Sequence, residues 1–160
     1  MAEMKKNLDA YAGGRVAEPL TVADIGSLDI NGTYRTLLST PWSYTGYDIV
    51  PGKNVGGLMA EFGIPASDQR FDIVLCGQVL EHVRNPHQTV SEMARVLKRG
   101  GLLFATVPAV FPKHRHPLDC WRIFEDGMRA LLELHGLVVL QCYERTHEYG
   151  TDTWGIGMKP

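Results

Sequence analysis

Cysteine is scarce: Cys76, Cys120 and Cys142 are the three in 160 residues. Their odd number and the lack of a C-x-x-C spacing argue against a disulfide framework or a zinc ribbon. Cys76 and Cys142 lie in apolar runs and read as small buried hydrophobes. No apolar run approaches the ~20 residues that span a bilayer, and the mixed, polar N-terminus has no hydrophobic signal core. The expectation is a cytoplasmic chain without a membrane partner. The net charge is -2, and Lys98-Arg99 is too short a run to make a basic patch, so no nucleic-acid partner is expected. The fingerprint G-x-G-x-x-G is missing, which argues against a nicotinamide-dependent dehydrogenase. Internal repeats and low-complexity linkers are absent as well.

What is present suits an ordinary soluble domain: 44% hydrophobic and 21% charged residues. A chain of this length buries roughly 70% of its unfolded surface without a metal or disulfide, and residues 1–160 are expected to form a single domain. Short apolar runs alternate with helical stretches, the pattern of an α/β fold with a mostly parallel sheet. Strands are expected at Leu20–Ile25, Ser43–Ile49, Phe71–Cys76, Leu102–Val107, Leu137–Tyr143 and Thr153–Met158, the last two as an antiparallel pair. Helices are expected at Thr33–Ser39, Pro86–Arg99 and Glu125–His135. The second has Asn85 as N-cap, Pro86 at its first position and Val90, Met93, Ala94 and Leu97 as its apolar stripe. Residues 51–70 carry four glycines and two prolines and leave room for a short strand or helix at most.

Two features point to a ligand. The stretch Asp24-Ile25-Gly26-Ser27-Leu28-Asp29-Ile30-Asn31-Gly32 links the first strand to the first helix, where open α/β sheets bind ligands. Without the glycines that a pyrophosphate needs, its mixed polar groups suit an amino-acid end. Asp24 can meet an ammonium, and groups around Gly26 and Ser27 can meet a carboxylate and a ribose. An ordinary strand-to-helix turn is the plainer alternative. Asp48, with its neighbour Ile49, ends the second strand about twenty residues later, where a carboxylate can accept both ribose hydroxyls. Taken alone it could equally be a turn former before Pro51-Gly52.

The third feature is Phe71-Asp72-Ile73-Val74-Leu75-Cys76-Gly77-Gln78-Val79-Leu80-Glu81-His82-Val83, then Leu97-Lys98-Arg99-Gly100-Gly101-Leu102-Leu103 and His116-Pro117-Leu118-Asp119-Cys120-Trp121-Arg122-Ile123-Phe124. With these the chain resembles class I S-adenosylmethionine-dependent methyltransferases, in particular the small bacterial type associated with glycan or secondary-metabolite biosynthesis. The resemblance implies a Rossmann-like fold with a seven-stranded, mostly parallel sheet and an antiparallel last strand. It implies S-adenosylmethionine as cofactor, held by Asp24, Gly26, Ser27, Asn31, Asp48, Ile49, Gly77 and Gln78, with Glu61 toward the adenine amino group. Leu28 and Ile30 stand where the common D-x-G-x-G-x-G turn has glycines; Asn31-Gly32 partly restore it.

Methyl transfer is an in-line displacement, so alignment supplies much of the acceleration, and an alcohol nucleophile also needs a base. His82 after the Phe71–Cys76 strand and His116 on the long 108–123 loop are the candidate bases. Each could also be structural. Asp119 and Arg122 could pair and pin that loop, and Trp121 and Phe124 could be core aromatics. His114-x-His116 with Glu81 or Asp119 is a weak metal pattern, and no metal is assigned. The reading is an enzyme, most simply an O-methyltransferase acting on a small-molecule acceptor, with homo-oligomerisation left open. A non-catalytic methyltransferase-like binding module is the alternative.

Overall fold

Alternation along the central strands decides how the sheet is covered. Val22, Ile73, Leu75, Leu102 and Phe104 face one side, and Ala23, Ile25, Val74, Cys76, Leu103, Ala105 and Val107 face the other. Both sets are apolar because both sides are packed, which makes these strands read as near-continuous hydrophobic runs. The computed structural model describes residues 1–30 and 32–160; the sequence assignment of Asn31 to the cofactor site lies outside them.

The strands are β1 (Thr21–Ile25), β2 (Ser43–Asp48), β3 (Gly57–Leu58), β4 (Phe71–Gly77), β5 (Leu97–Val110), β6 (Val138–His147) and β7 (Gly150–Met158). They form one sheet in the order β3-β2-β1-β4-β5-β7-β6. β1 is parallel to β2 and β4, β2 to β3 and β4 to β5, whereas β7 is antiparallel to both β5 and β6. The Rossmann-like α/β fold expected from the sequence is therefore observed. The strand order reverses between β1 and β4, and the carboxyl ends of the strands beside that switch point are where such sheets bind ligands.

α1 (Ala2–Ala12) lies on the first side of the sheet and packs Met4, Leu8 and Ala12 against it, a spacing of four that lines up one helical face. Asn7 donates to the Tyr143 hydroxyl at 2.8 Å, and that hydroxyl donates to Glu3 at 2.9 Å. The sequence pattern predicts no element here. α2 (Pro86–Val96) and α3 (Glu125–Leu134) cover the other side. The Asn85 side chain caps α2 by accepting from the Gln88 amide, as expected, with Pro86 next to it.

Several expected elements differ in extent, β5 among them, which runs Leu97–Val110 rather than Leu102–Val107. The helix expected at 33–39 is a 3-10 turn, Tyr34–Leu37. Pro41 disfavours helical backbone at Thr40, and Leu38 is already extended. α2 ends at Val96 rather than Arg99, because Leu97 turns extended and pairs with Phe71. The Lys159 ammonium donates to the carbonyls of Ala94 (2.7 Å) and Leu97 (2.9 Å), closing that end from the far terminus of the chain. β6 and β7 run longer than expected and meet at Glu148-Tyr149. Between β2 and β4 the chain forms only β3 and an Ala60–Gly63 bridge. The Arg95 guanidinium stitches this stretch to α2 through the carbonyls of Ile64 (2.9 Å) and Ala66 (2.8 Å) and the carboxylates of Asp68 and Glu92. Among the described residues, no helix is long and apolar enough to cross a membrane.

Candidate active site

The turn after β1 is drawn onto β2. The amides of Gly26 and Ser27 donate to the Tyr47 carbonyl at 2.9 and 3.1 Å, and Asn54 donates to the Ser27 carbonyl at 3.0 Å. Gly26 has φ +75°, and a Cβ there would collide with Val79, so the position excludes any side chain. Asp24 is 3% exposed and accepts from the Tyr44 hydroxyl at 2.7 Å. Burial pushes its pKa up to about 7, against the opposing effect of the Tyr44 bond. Ser27 is buried too, and its hydroxyl has no partner among the described residues. A buried hydroxyl without a partner and a buried acid are each costly to fold and call for a reason. Asp48, at the end of β2, accepts from the amides of Leu28 (3.0 Å) and Val50 (3.2 Å) and so ties the two turns together. The Ile49 side chain next to it is exposed.

At the end of β4, the Tyr34 ring lies across Gly77 so closely that a Cβ at residue 77 would overlap it. Burial and the nearby Asp24 carboxylate both push the Tyr34 hydroxyl well above its ordinary pKa. Gln78 takes a left-handed φ of +57° and donates its amide to the Thr106 carbonyl at 2.9 Å. That conformation is uncommon outside glycine, and it turns the chain sharply over the carboxyl edge of the sheet. Glu61 is engaged elsewhere: its carboxylate accepts from the Arg84 amide at 3.3 Å and its guanidinium at 2.6 Å.

Beyond that turn lies a cluster of imidazoles around a buried acid. Glu81 is fully buried, and neither carboxylate oxygen has a hydrogen-bond partner among the described residues. Burial raises its pKa to about 8. His82 Nε2 lies 3.4 Å from Glu81 Oε1, and His114 Nε2 lies 3.9 Å from the same oxygen. The ring centres of His82, His114 and His116 are 5.0 to 6.1 Å apart, edge to face. Desolvation lowers the His82 pKa, which favours the neutral ring.

The loop between β5 and α3 is pinned at several points. The amides of Cys120 (2.7 Å) and Trp121 (3.3 Å) donate to the Glu81 carbonyl, and the Trp121 indole donates to the Val83 carbonyl at 2.9 Å. Arg122 grips Asp119 with two bonds of 2.6 and 2.9 Å, and the His114 amide donates to Asp119 at 2.7 Å. The Arg122 guanidinium holds the Asp119 carboxyl well below the usual carboxylate range. Trp121 and Phe124 are exposed rather than core aromatics.

The structure thus gathers Asp24, Gly26, Ser27 and Asp48 in one group and His82 and His116 in another, with Gly77 at the end of β4 and Gln78 just after it leading from the first to the second. Tyr34, Tyr44 and Val79 belong to the same edge, and the sequence pattern assigns none of them to the site. Each touches its partner through tertiary packing, and only the position of Tyr34 shortly after the first turn could have drawn attention to it.

Residues 13–105, more than half of the chain, match a family model described as a methyltransferase domain. The ubiquinone biosynthesis O-methyltransferase of Rickettsia prowazekii (strain Madrid E) is 26% identical over 151 residues, covering 79% of this chain and 58% of the relative. The chain spans between 15% and 58% of the length of the curated relatives it matches. Among solved structures, the Burkholderia thailandensis 1,6-didemethyltoxoflavin-N1-methyltransferase, with 1,6-didemethyltoxoflavin and S-adenosylhomocysteine bound, superposes with a TM-score of 0.74 at 17% identity, covering 97% of this chain and 76% of that one. A SAM-dependent methyltransferase of Methanosarcina mazei gives 0.72 at 18% identity, covering 89% of this chain and 93% of that one. The chain belongs to the class I S-adenosylmethionine-dependent methyltransferase family.

Proposed function

We propose that the chain transfers a methyl group from S-adenosylmethionine to an oxygen of a small-molecule acceptor. The observation that carries this reading is the pairing, on one edge of the sheet, of two unlike groups. One is a glycine turn with a buried acid and an unpartnered buried hydroxyl, and the other is a histidine cluster on the turn after β4 and its facing loop. The curated relatives named as O-methyltransferases support oxygen as the accepting atom.

The residues present suit the cofactor. The Ser27 hydroxyl lacks a partner and Asp24 is buried with a raised pKa. An ammonium beside Asp24 would favour its charged form, and a carboxylate or ribose hydroxyl would satisfy Ser27. Asp48 retains acceptor capacity for a ribose diol beyond its two amide bonds, since a carboxylate offers about four lone-pair sites. Gly26 allows close approach of the backbone. When bound, S-adenosylmethionine supplies the electrophilic methyl. The protein's own part is to hold the acceptor in line, exclude water and take the hydroxyl proton. His82 or His116 takes that proton, a role suited to a neutral imidazole.

The Tyr34 ring over Gly77 favours a second reading, a methyltransferase-like module that binds a partner without turnover. Methyl-labelled S-adenosylmethionine incubated with a panel of hydroxylated small molecules separates the two. Label in a product together with stoichiometric S-adenosylhomocysteine supports the enzyme. Binding of S-adenosylhomocysteine without label transfer across the panel favours the module.

A further inference from the structure

The geometry points to a divalent transition-metal site formed by Glu81, His82 and His114, of the kind that takes zinc or cobalt. One ligand atom from each of these residues lies within 4.8 Å of the others. Three donors at about 2.0–2.2 Å from a tetrahedral ion lie about 3.4 Å apart. The Glu81–His82 separation of 3.4 Å meets that spacing, and the Glu81–His114 separation of 3.9 Å meets it after a shift of a few tenths of an ångström.

Three further observations fit an ion better than a structural histidine cluster. The Glu81 carboxylate is fully buried, and neither oxygen is satisfied by the described residues, although it points at two imidazoles. His82 Nδ1 lies 2.7 Å from the Leu118 carbonyl and His114 Nδ1 lies 3.2 Å from the Pro112 carbonyl. A carbonyl only accepts, so both rings carry a proton on Nδ1, and in the neutral tautomer this leaves the Nε2 lone pair on the side of Glu81. Backbone carbonyls hold metal-ligating histidines in this tautomer and orientation. Finally, the carrier of His114 is rigid, because Asp119 takes the His114 amide and is itself gripped twice by Arg122. Those bonds occupy Asp119, which leaves Glu81 as the acidic ligand.

Two neutral imidazoles and one carboxylate make a His2Glu set with a fourth position open, the arrangement of sites that keep room for a water or an oxygen donor. Commitment of His82 Nε2 to the ion leaves His116 as the free imidazole beside it. The site stands on its ligand set, independent of methyl transfer.

The test is a titration of chelator-treated full-length protein with CoCl2, followed by visible absorption and calorimetry, with S-adenosylhomocysteine binding measured on the same samples. One ion per chain is expected, with the intense visible bands of low-coordinate cobalt. Glu81→Gln, nearly isosteric, and His114→Ala, at a partly exposed position, are each expected to weaken binding at least about tenfold. His135→Ala, which breaks the surface His87–His135 pair, is expected to leave it unchanged. Undiminished cobalt affinity in folded Glu81→Gln and His114→Ala, or a loss confined to His135→Ala, would overturn the proposal. So would failure of the parent to bind cobalt while it still binds S-adenosylhomocysteine, a result that leaves the methyltransferase reading standing.

Discussion

The Tyr34 ring rests on Gly77, and the fit is tight enough that residue 77 has no room for a methyl group. The same ring lies near Asp24 and Glu81, whose charges both bear on its hydroxyl. It therefore covers the backbone at the end of β4 that a cofactor would have to reach. Tyr34→Ala is expected to bind S-adenosylhomocysteine several-fold more tightly. It should also melt at a lower temperature, with a cost of up to about 3 kcal/mol for the lost ring. Calorimetry and thermal melts read the two effects separately. Weaker binding would mean that the ring holds the cofactor rather than covering its place.

Asp24 makes stability and binding depend on pH in opposite directions. Its folded pKa of about 7 lies above the ordinary 3.8 because burial penalises the charge. The folded chain therefore holds the proton more tightly than the unfolded one. The corresponding stability is complete below about pH 4 and is lost as the pH rises through about 7. Asp24→Asn stays neutral throughout, so it should match the parent in acid and exceed it at about pH 8, by at most about 4 kcal/mol. S-adenosylhomocysteine affinity in the parent should rise across neutrality as the carboxylate forms, and that slope should flatten in the variant. Melts and titrations at several pH values check both.

Asp48 joins the turns after β1 and β2 through the amides of Leu28 and Val50. Asp48→Ala is expected to weaken S-adenosylhomocysteine binding by about 1.5–3 kcal/mol, the range for charge-assisted hydrogen bonds. Asp48→Asn keeps an acceptor for the Leu28 amide, so it should recover the loop order but only part of the affinity. Equal affinity for parent and alanine variant, measured by calorimetry, would remove Asp48 from the site.

The pinned loop should separate turnover from cofactor binding. His116→Ala is expected to lower the rate on a found acceptor while leaving S-adenosylhomocysteine affinity nearly unchanged. Asp119→Ala releases both the His114 amide and Arg122, so it should lower the rate and the melting temperature together, again with little effect on the cofactor. A fall in cofactor affinity in either variant would place the loop on the wrong side of the site.

The local signals in the sequence were reliable where one segment carried the whole explanation. The β4 run, the Asn85-Pro86 start of α2 and the β1 turn could all be read directly, because capping, patterning and the switch point are short-range or topological rules. Long-range contacts were invisible. The end of α2 depends on Lys159, and the order of residues 51–70 depends on Arg95. α1 does carry a spacing of four in Met4, Leu8 and Ala12, but its polar positions hide a narrow buried stripe. At the site, His82 and His116 were singled out as bases. The burial of Glu81 and the tautomers fixed by Leu118 and Pro112 appear only when the loop is folded back on β4. Glu61 was implied by the family resemblance, and its bonds to Arg84 could not be foreseen from sequence spacing.

The most direct test of the central claim is calorimetric titration of the parent chain with S-adenosylhomocysteine and, separately, with NAD. One S-adenosylhomocysteine per chain, a rise in melting temperature with ligand concentration, no response to NAD and a marked loss in Asp48→Ala are the results expected. A folded chain that ignores S-adenosylhomocysteine, or that binds NAD instead, would contradict the account.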